Sequence, residues 1–235
     1  MTLVELLVAV GVIAILLSVL LPAIAGARRA AAQAQCASNL RQWGIALVEY
    51  AQDNHQWLPR RGQGIMPVQT ITWNDDWFNE LPPYLKQPAY QNRTSSGFSP
   101  HFGDGSIWTC PEASGSPNNF GNEFSYAMNM ALSVRNAPLP DRLDRVGPAA
   151  TMVFLTDGAA GYCSAVPTRI AQPYNPVARH NGRVNIAFLD SHVEAIDAAH
   201  VQSDYGFPGY NDLRWYWYQP GPVPSPWPGP GPGVD

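Results

Sequence analysis

Charge is scarce in this 235-residue chain: 14% of its residues are charged, whereas roughly 25% is usual in a soluble domain. The net charge is −4, and basic residues are adjacent only at Arg28-Arg29 and Arg60-Arg61. A protein that binds nucleic acid through its phosphates needs a basic patch or stripe. We therefore expect no nucleic-acid partner.

Motifs of the common enzyme classes are also missing. The sequence has no G-x-S-x-G, no Walker loop and no H-E-x-x-H. Cys163 precedes His180 by 17 residues, but no motif surrounds the pair, so a structural or free thiol is the simpler interpretation. The sequence therefore predicts a protein that is not an enzyme.

Cysteine is rare as well, with single residues at positions 36, 110 and 163. These spacings fit no metal-binding or haem-attachment motif. In an oxidising compartment one pair would form a disulfide and leave the third thiol free. Spacing alone does not identify the pair; Cys110 with Cys163 is one candidate.

One long apolar run stands at the start of the chain. No charged residue occurs from Leu6 to Ala27, and these 22 residues would form a helix of about 33 Å, enough to cross a bilayer core of ~30 Å. Glu5 comes just before the run, where an ionisable group needs a partner. The amino terminus of the same helix is a full turn away, so the amine of a neighbouring copy is the expected partner. This pattern indicates a helix that packs against copies of itself.

The first seven residues, MTLVELL, resemble the start of a processed type IV pilin or type II secretion pseudopilin, which usually begins Phe-Thr-Leu-x-Glu-Leu. Glu5 falls on the glutamate of that family and Pro22 on its helix-kinking proline, while Met1 replaces the N-methylated Phe. A signal peptide or plain anchor is the alternative, but a signal peptide begins with basic residues and has a shorter apolar core.

The resemblance also implies how the chain is processed and which partners it has. A prepilin peptidase would remove a short basic leader, and the mature chain would begin at Met1, the residue that is N-methylated. The single-pass precursor would lie in the inner membrane. Assembly machinery would then polymerise copies of the chain into a filament at the cell surface.

Four further motifs resemble the large pilin-like proteins of planctomycetes and verrucomicrobia. The first is a Cys-x-x-Asn-Leu-(Lys/Arg)-Gln core, and the last is a His-x9-Asp-Gly signature in which Ser191 here replaces Gly. The matching stretches are CASNLRQ from Cys36, WTCP from Trp108, SYAMN from Ser125, and His180 with Asp190.

The pattern of the chain predicts four segments. Residues 1–29 are the apolar part of a long helix from Leu3 to about Asn54, which Pro22 should kink or locally open. Residues 30–58 are its amphipathic part, residues 59–218 a head domain, and residues 219–235 an extended Pro/Gly-rich tail. Apolar residues spaced by four and three form a stripe that should pack on the head: Cys36, Leu40, Trp43, Leu47 and Tyr50.

The head domain has strand signals and one short helical signal. The helix is predicted at residues 77–85, ending at Pro82-Pro83. Strands are predicted at residues 106–110, 124–131, 151–156, 183–189 and 192–196. We expect a sheet of about four antiparallel strands packed on the helix stripe. This is an α+β protein, and the resemblance implies the type IV pilin fold.

His180 and Asp190 have two interpretations. In the structural one, the imidazole hydrogen-bonds near the Asp190 carboxylate and pins the last hairpin, although Ser191 tolerates a positive φ less well than Gly. In the other, Asp157 and Asp190 bind a metal together with His180 and His192. Some pseudopilins bind calcium near this region, but two carboxylates and two nitrogens suit calcium poorly. We therefore predict no cofactor, with calcium as the alternative.

Two features outside these motifs remain. Asn92 begins a formal N-glycosylation sequon, Asn-Arg-Thr. Seven aromatic residues occur between Tyr205 and Tyr218, either buried against the sheet or exposed as a binding patch.

The predicted function is that of a structural subunit of a filament. The alternatives are a type II secretion pseudopilin and a membrane-anchored binding module that does not polymerise.

Overall fold

A computed structural model describes most of the chain. The described residues are 2–62, 75–92, 100–113, 123–130, 132–133, 139–159, 162, 164–165, 176–203 and 215. The helices are α1 (Leu3–Asp53), α2 (Trp77–Glu80) and α3 (Ala198–Ser203), with 3-10 turns at Pro82–Leu85 and Tyr90–Asn92. The strands are β1 (Tyr126–Asn129), β2 (Val153–Asp157), β3 (Ser164–Ala165), β4 (Arg183–Phe188) and β5 (Val193–Asp197).

The first helix is continuous over 51 residues, which confirms the long helix predicted from the sequence. Thr2 caps its start, and the Asn54 N–H donates to the Tyr50 carbonyl at its end. The helix continues through Pro22, so the local opening expected at that residue is not seen in this single chain.

The two halves of α1 have different surroundings. No residue from 2 to 35 is buried, whereas the predicted stripe from Cys36 to Tyr50 is buried against the head. Within the described part of the chain, α1 is the one helix long and apolar enough to cross a membrane. Its first half is therefore compatible with a membrane anchor or a signal sequence.

The sheet has the strand order β3-β1-β2-β4-β5. The pairs β1–β2, β2–β4 and β4–β5 are antiparallel, which agrees with the predicted sheet of about four strands. The two-residue strand β3 pairs in parallel with β1 and is too short to leave a signal in the sequence. The arrangement is α+β, with one face of the sheet packed on the second half of α1.

Aromatic side chains fill the space between α1 and the sheet. Trp43 of α1 lies 5.4 Å from Trp77 and 5.0 Å from Trp108, measured between ring centroids. Phe124 packs edge-on against Trp77 at 6.1 Å. Edge-to-face contacts of this kind add to the free energy gained by burying apolar area. The predicted helix at 77–85 is present as α2 followed by the 3-10 turn, because the two prolines interrupt it.

The opposite face of the sheet has a smaller apolar cluster. Val153, Ile186 and Phe188 pack there with Val201 of α3, and Trp215 packs against the cluster. Trp215 belongs to the aromatic region from Tyr205 to Tyr218. Its packing against the sheet agrees, for this residue, with the interpretation that the region is buried and not an exposed binding patch. The other six aromatics and the tail at 219–235 lie outside the described residues.

The strand predicted at residues 106–110 is wrong. This segment forms turns, and its backbone hydrogen bonds go elsewhere. The Ser106 N–H donates to the Asp104 carboxylate, and the Ser106 carbonyl accepts from the side chain of Asn39. Side chains thus take bonds that a strand ladder would need, and the backbone bond from the Ser125 N–H to the Trp108 carbonyl is too little to make the segment a strand.

Candidate functional site

The start of α1 is closed by a reciprocal pair of hydrogen bonds between Thr2 and Glu5. The Thr2 N–H donates to Oε2 of Glu5 at 2.7 Å, and the Glu5 N–H donates to the Thr2 hydroxyl at 3.3 Å. This is a capping box, and the positive end of the helix dipole favours the carboxylate there. The pattern Thr-x-x-Glu indicates this role within the chain, but it was not among the roles predicted for Glu5. Met1 lies outside the described residues.

The first half of α1 presents a continuous apolar surface. Fifteen large aliphatic side chains between Leu3 and Ile24 are 40 to 76% exposed. A soluble monomer rarely exposes an apolar surface of this extent. Surfaces of this kind usually mark contacts with a membrane or with other protein.

A second site lies where α1 meets the loop at residues 104–110, which precedes β1 in the chain. Cys36 of α1 is bonded to Cys110 of this loop, with the two Cα atoms 5.2 Å apart. The candidate pair Cys110–Cys163 is therefore wrong, because the helix stripe that includes Cys36 packs directly on the loop that ends at Cys110. Cys163 lies outside the described residues.

Side chains of α1 also hold this loop by its backbone. Three donors at four-residue intervals on α1 each bond one of three successive carbonyls, which a helix face can do because its turns stack along one side. The bonds are Gln35 Nε2 to Gly105 O at 2.7 Å, Asn39 Nδ2 to Ser106 O at 2.8 Å, and Trp43 Nε1 to Ile107 O at 2.8 Å.

The SYAMN stretch at the start of β1 completes the unit. The Cys110 N–H donates to the Ser125 hydroxyl at 2.6 Å, and the Ser125 N–H donates to the Trp108 carbonyl at 3.1 Å. Asn39 Nδ2 also donates to the Tyr126 hydroxyl at 3.3 Å. Three stretches that carry the resemblance, CASNLRQ, WTCP and SYAMN, thus meet in one buried unit around Cys110.

His180 belongs to the same unit and not to the hairpin turn. Its Nε2 lies 3.4 Å from Sγ of Cys110 and 3.7 Å from Oδ2 of Asp157. Its Nδ1 lies 2.8 Å from Oε2 of Glu112. The predicted bond to Asp190 is wrong, because His180 precedes β4 and Asp190 follows it. Six residues of strand separate them by about 20 Å.

Asp190 instead acts within its own turn. Its carboxylate accepts a hydrogen bond from the His192 N–H at 3.1 Å and lies against the His192 ring. Ser191 adopts the left-handed region at φ +72°, so the hairpin forms even though Ser stands where the resembled family has Gly. Asp157, at the end of β2, bonds to Asn185 of β4, whereas Asp190 follows the far end of β4, five residues or about 16 Å along the chain. The two carboxylates therefore do not share one calcium ion, and the structure does not assemble the alternative metal set.

Asp157 is fully buried beside Arg179. Its Oδ2 accepts from the Asn185 N–H at 2.9 Å, and its Oδ1 lies 3.6 Å from Nη1 of Arg179. Burial raises the pKa of Asp157, and the positive charge of Arg179 opposes that rise. Arg179 also donates to the carbonyls of Ser125 and Gly158, so its guanidinium joins β2 to the start of β1.

Asn92 lies exposed at the end of the second 3-10 turn. The other two residues of its sequon lie outside the described residues. The structure therefore places the acceptor residue at the surface and leaves the sequon as a prediction.

The fold and these contacts define an α+β head fastened to the second half of one long helix whose first half is apolar and exposed. Comparison with known protein families, curated proteins and solved structures gave no match.

Proposed function

We propose that this chain is a structural subunit of an extracellular helical filament of the type IV pilus kind, assembled through the first half of α1. The observation that carries the proposal is the exposed apolar surface between Leu3 and Ile24. In a filament, copies of this segment pack side by side in a core without water, where burial and dispersion favour assembly. The heads then form the outer surface.

A lone anchor in a bilayer would also cover the apolar surface, so the choice between anchor and filament rests on other features. The first is Glu5. The bond from Thr2 uses one of about four lone-pair positions of the carboxylate, and none of the described residues supplies a counter-ion for its charge. The amino terminus of an adjacent subunit would supply that counter-ion and set the axial register, because an unpaired charge in an apolar core is strongly disfavoured.

The second feature is Pro22. Proline has no N–H, so the Ser18 carbonyl loses the donor that a regular helix would supply. The Ser18 hydroxyl donates to the Ile15 carbonyl at 2.7 Å and cannot replace that donor. Membrane-embedded helices tolerate such a site when neighbouring helices or a local rearrangement satisfy the freed carbonyl. Close packing against copies of the same helix provides that setting.

The third feature is the firm joint between helix and head. A covalent bond from Cys36 to Cys110 and the three side-chain bonds to carbonyls 105–107 fix the loop to α1. In a filament, tension passes from the helical core to the heads through this joint. A subunit that bears load benefits from a joint that cannot slide.

The test is the physical state of the protein on the cells that make it. Shearing of those cells should release long fibres in which this chain is the main component. A pseudopilin would instead stay with the cell as short assemblies. Extraction of the membrane fraction into detergent, followed by sizing, identifies the third outcome: if the chain is monomeric at high concentration and no fibres are sheared from the cells, the filament proposal is wrong.

A further inference from the structure

The Cys36–Cys110 disulfide is surrounded by buried polar groups, which is unusual for a bond that only links two segments. Both sulfurs are fully buried, and so are His180 and Asp157 beside them. Burial of an imidazole, carboxylates and a guanidinium is costly, and apolar side chains would pack a structural disulfide at lower cost. The presence of these polar groups beside the disulfide is therefore not explained by packing alone.

Three potential metal ligands lie close together around the disulfide. The two Sγ atoms and a ring nitrogen of His180 lie within 4.8 Å of one another. Cys110 Sγ is 3.4 Å from His180 Nε2, and a thiolate and an imidazole on one tetrahedral zinc ion are roughly 3.5 Å apart. His180 Nε2 is 3.7 Å from Asp157 Oδ2, where roughly 3.4 Å is expected for two such ligands.

A carboxylate also lies beside the other ring nitrogen of His180. A histidine that binds zinc through one nitrogen usually has a carboxylate at the other. Glu112 Oε2 lies 2.8 Å from Nδ1 of His180, close enough to fill that position, but the two atoms are not aligned as a hydrogen bond. Asp157 Oδ1 is buried, lies 3.6 Å from Nη1 of Arg179 and accepts no hydrogen bond from the described residues. The guanidinium therefore offsets its charge but leaves the oxygen without the hydrogen bond that buried polar atoms normally have.

We propose that this cluster is a site with two states: a disulfide in the oxidised chain, and a zinc site formed by Cys36, Cys110, His180 and Asp157 in the reduced chain. Two thiolates, one imidazole and one carboxylate are a ligand set that zinc accepts in tetrahedral geometry. The inference does not depend on the filament proposal, because it concerns only the head and the second half of α1.

The two states interconvert by a two-electron step. A disulfide oxidant such as glutathione disulfide takes the two electrons of the cysteine thiolates, and the Cys36–Cys110 bond forms as both sulfur–zinc bonds break. The oxidant takes up two protons from solvent and leaves as two thiols, and the zinc ion is released.

The test uses the full chain in detergent, reduced with a phosphine under inert gas and supplied with zinc. One zinc ion per reduced chain should remain after free metal is removed, and none should remain on the oxidised chain. Cobalt in place of zinc should give the intense visible absorption of a tetrahedral thiolate site. Near-UV circular dichroism, which reports the buried tryptophans, shows whether the head is folded in each sample.

Zinc binding by single variants distinguishes the proposed ligands from other cysteine and histidine residues. Cys36→Ser and His180→Ala should lose the bound zinc, whereas Cys163→Ser and His192→Ala should keep it. Glu112→Gln should leave the fold intact and lower zinc affinity by about 10- to 100-fold, which a purely structural role would not do. This variant also keeps the test decisive if either ligand variant fails to fold.

Three results would overturn the inference. One is a reduced chain that binds no zinc, whether it remains folded or unfolds. Another is zinc that persists in both Cys36→Ser and His180→Ala. The third is equal zinc binding by the oxidised and reduced chains.

Discussion

Gly44 of α1 faces Ser191 of the β4–β5 turn so closely that a Cβ on Gly44 would lie 2.8 Å from the Ser191 Cα. The atom it would meet belongs to the backbone of a turn, so a flexible side chain cannot swing aside. The β4–β5 hairpin, whose turn contains Ser191, therefore packs directly against α1. This contact explains why the turn adopts a definite position despite a serine at positive φ.

Substitution of Gly44 should therefore weaken the head. We expect Gly44→Ala to lower the free energy of unfolding by about 1 to 3 kcal/mol, because α1 and the turn must move apart. Chemical denaturation followed by tryptophan fluorescence measures this change. Gly26→Ala is the matched control, since a Cβ there has no neighbour within 4 Å and should cost nothing. Equal stability of the two variants would show that the turn is not seated on α1.

Asn39 should be a major contributor to the joint between helix and loop. Its side chain is almost fully buried and donates to both the Ser106 carbonyl and the Tyr126 hydroxyl. Asn39→Ala leaves both acceptors without this donor and should cost about 1 to 3 kcal/mol in the free energy of unfolding. Arg41→Ala, an exposed position two residues along the same helix, should change it by less than about 0.5 kcal/mol. Similar losses from both variants would contradict this role.

The disulfide should contribute more than any single hydrogen bond. Its two cysteines are 74 residues apart, and the entropy removed from the unfolded chain by such a loop corresponds to about 4 kcal/mol. Cys36→Ser and Cys110→Ser should each lose about this amount, and the double variant should lose little more. Cys163→Ser should leave stability unchanged.

Peptide mapping without reduction gives the direct check of the pairing. It should recover Cys36 linked to Cys110. A peptide that links Cys163 to either of them would contradict the structure.

Asp104 should make stability depend on pH in the acidic range. Burial alone would raise the pKa of Asp104, but hydrogen bonds from Thr109, His101 and Ser106 to its carboxylate lower it overall. The folded chain thus binds the proton more weakly than the unfolded chain, whose Asp pKa is about 3.9. Ionised Asp104 therefore stabilises the fold above about pH 4, and this contribution is lost as the pH falls through the lower pKa of the folded state.

Asp104→Asn should accordingly be less stable than the unmodified chain at pH 7, by up to about 1 kcal/mol, because the side chain is exposed and water screens its charge. The difference should shrink as the pH is lowered below about 4. Unfolding measured across the pH range 2 to 7 for both proteins checks this. A difference that stays constant with pH would mean that the charge of Asp104 contributes nothing.

The sequence predicted the elements that depend on local patterns. The long helix follows from an apolar run joined to a stripe with helical spacing, and the apolar face of β4 follows from alternation. The strand predicted at 106–110 failed because long-range donors, Asn39 among them, take its carbonyls. No local pattern reports such donors, which come from residues more than 60 positions away.

The sites were harder to predict for the same reason. The His180–Asp190 spacing matched a motif, yet the residues lie at opposite ends of β4, and His180 faces Cys110 across the fold. The Cys36–Cys110 pairing depends on which helix face packs on the loop, and three cysteines alone do not reveal that. The Thr2–Glu5 capping box was missed although its signal, Thr-x-x-Glu, is local, because the expected partner of Glu5 was the amine of a neighbouring copy.

The most direct test of the filament proposal separates the two roles of Glu5. Glu5→Gln removes the charge but keeps a side-chain oxygen that can cap the helix, whereas Thr2→Val removes the capping hydroxyl and keeps the charge. The measurement is the amount of this chain in sheared fibres relative to the amount in membranes. We expect Glu5→Gln to leave subunits in the membrane and to yield no fibres, while Thr2→Val yields nearly normal fibres. Normal fibre yield from Glu5→Gln, or equal loss from both variants, would contradict a charge pair between neighbouring subunits.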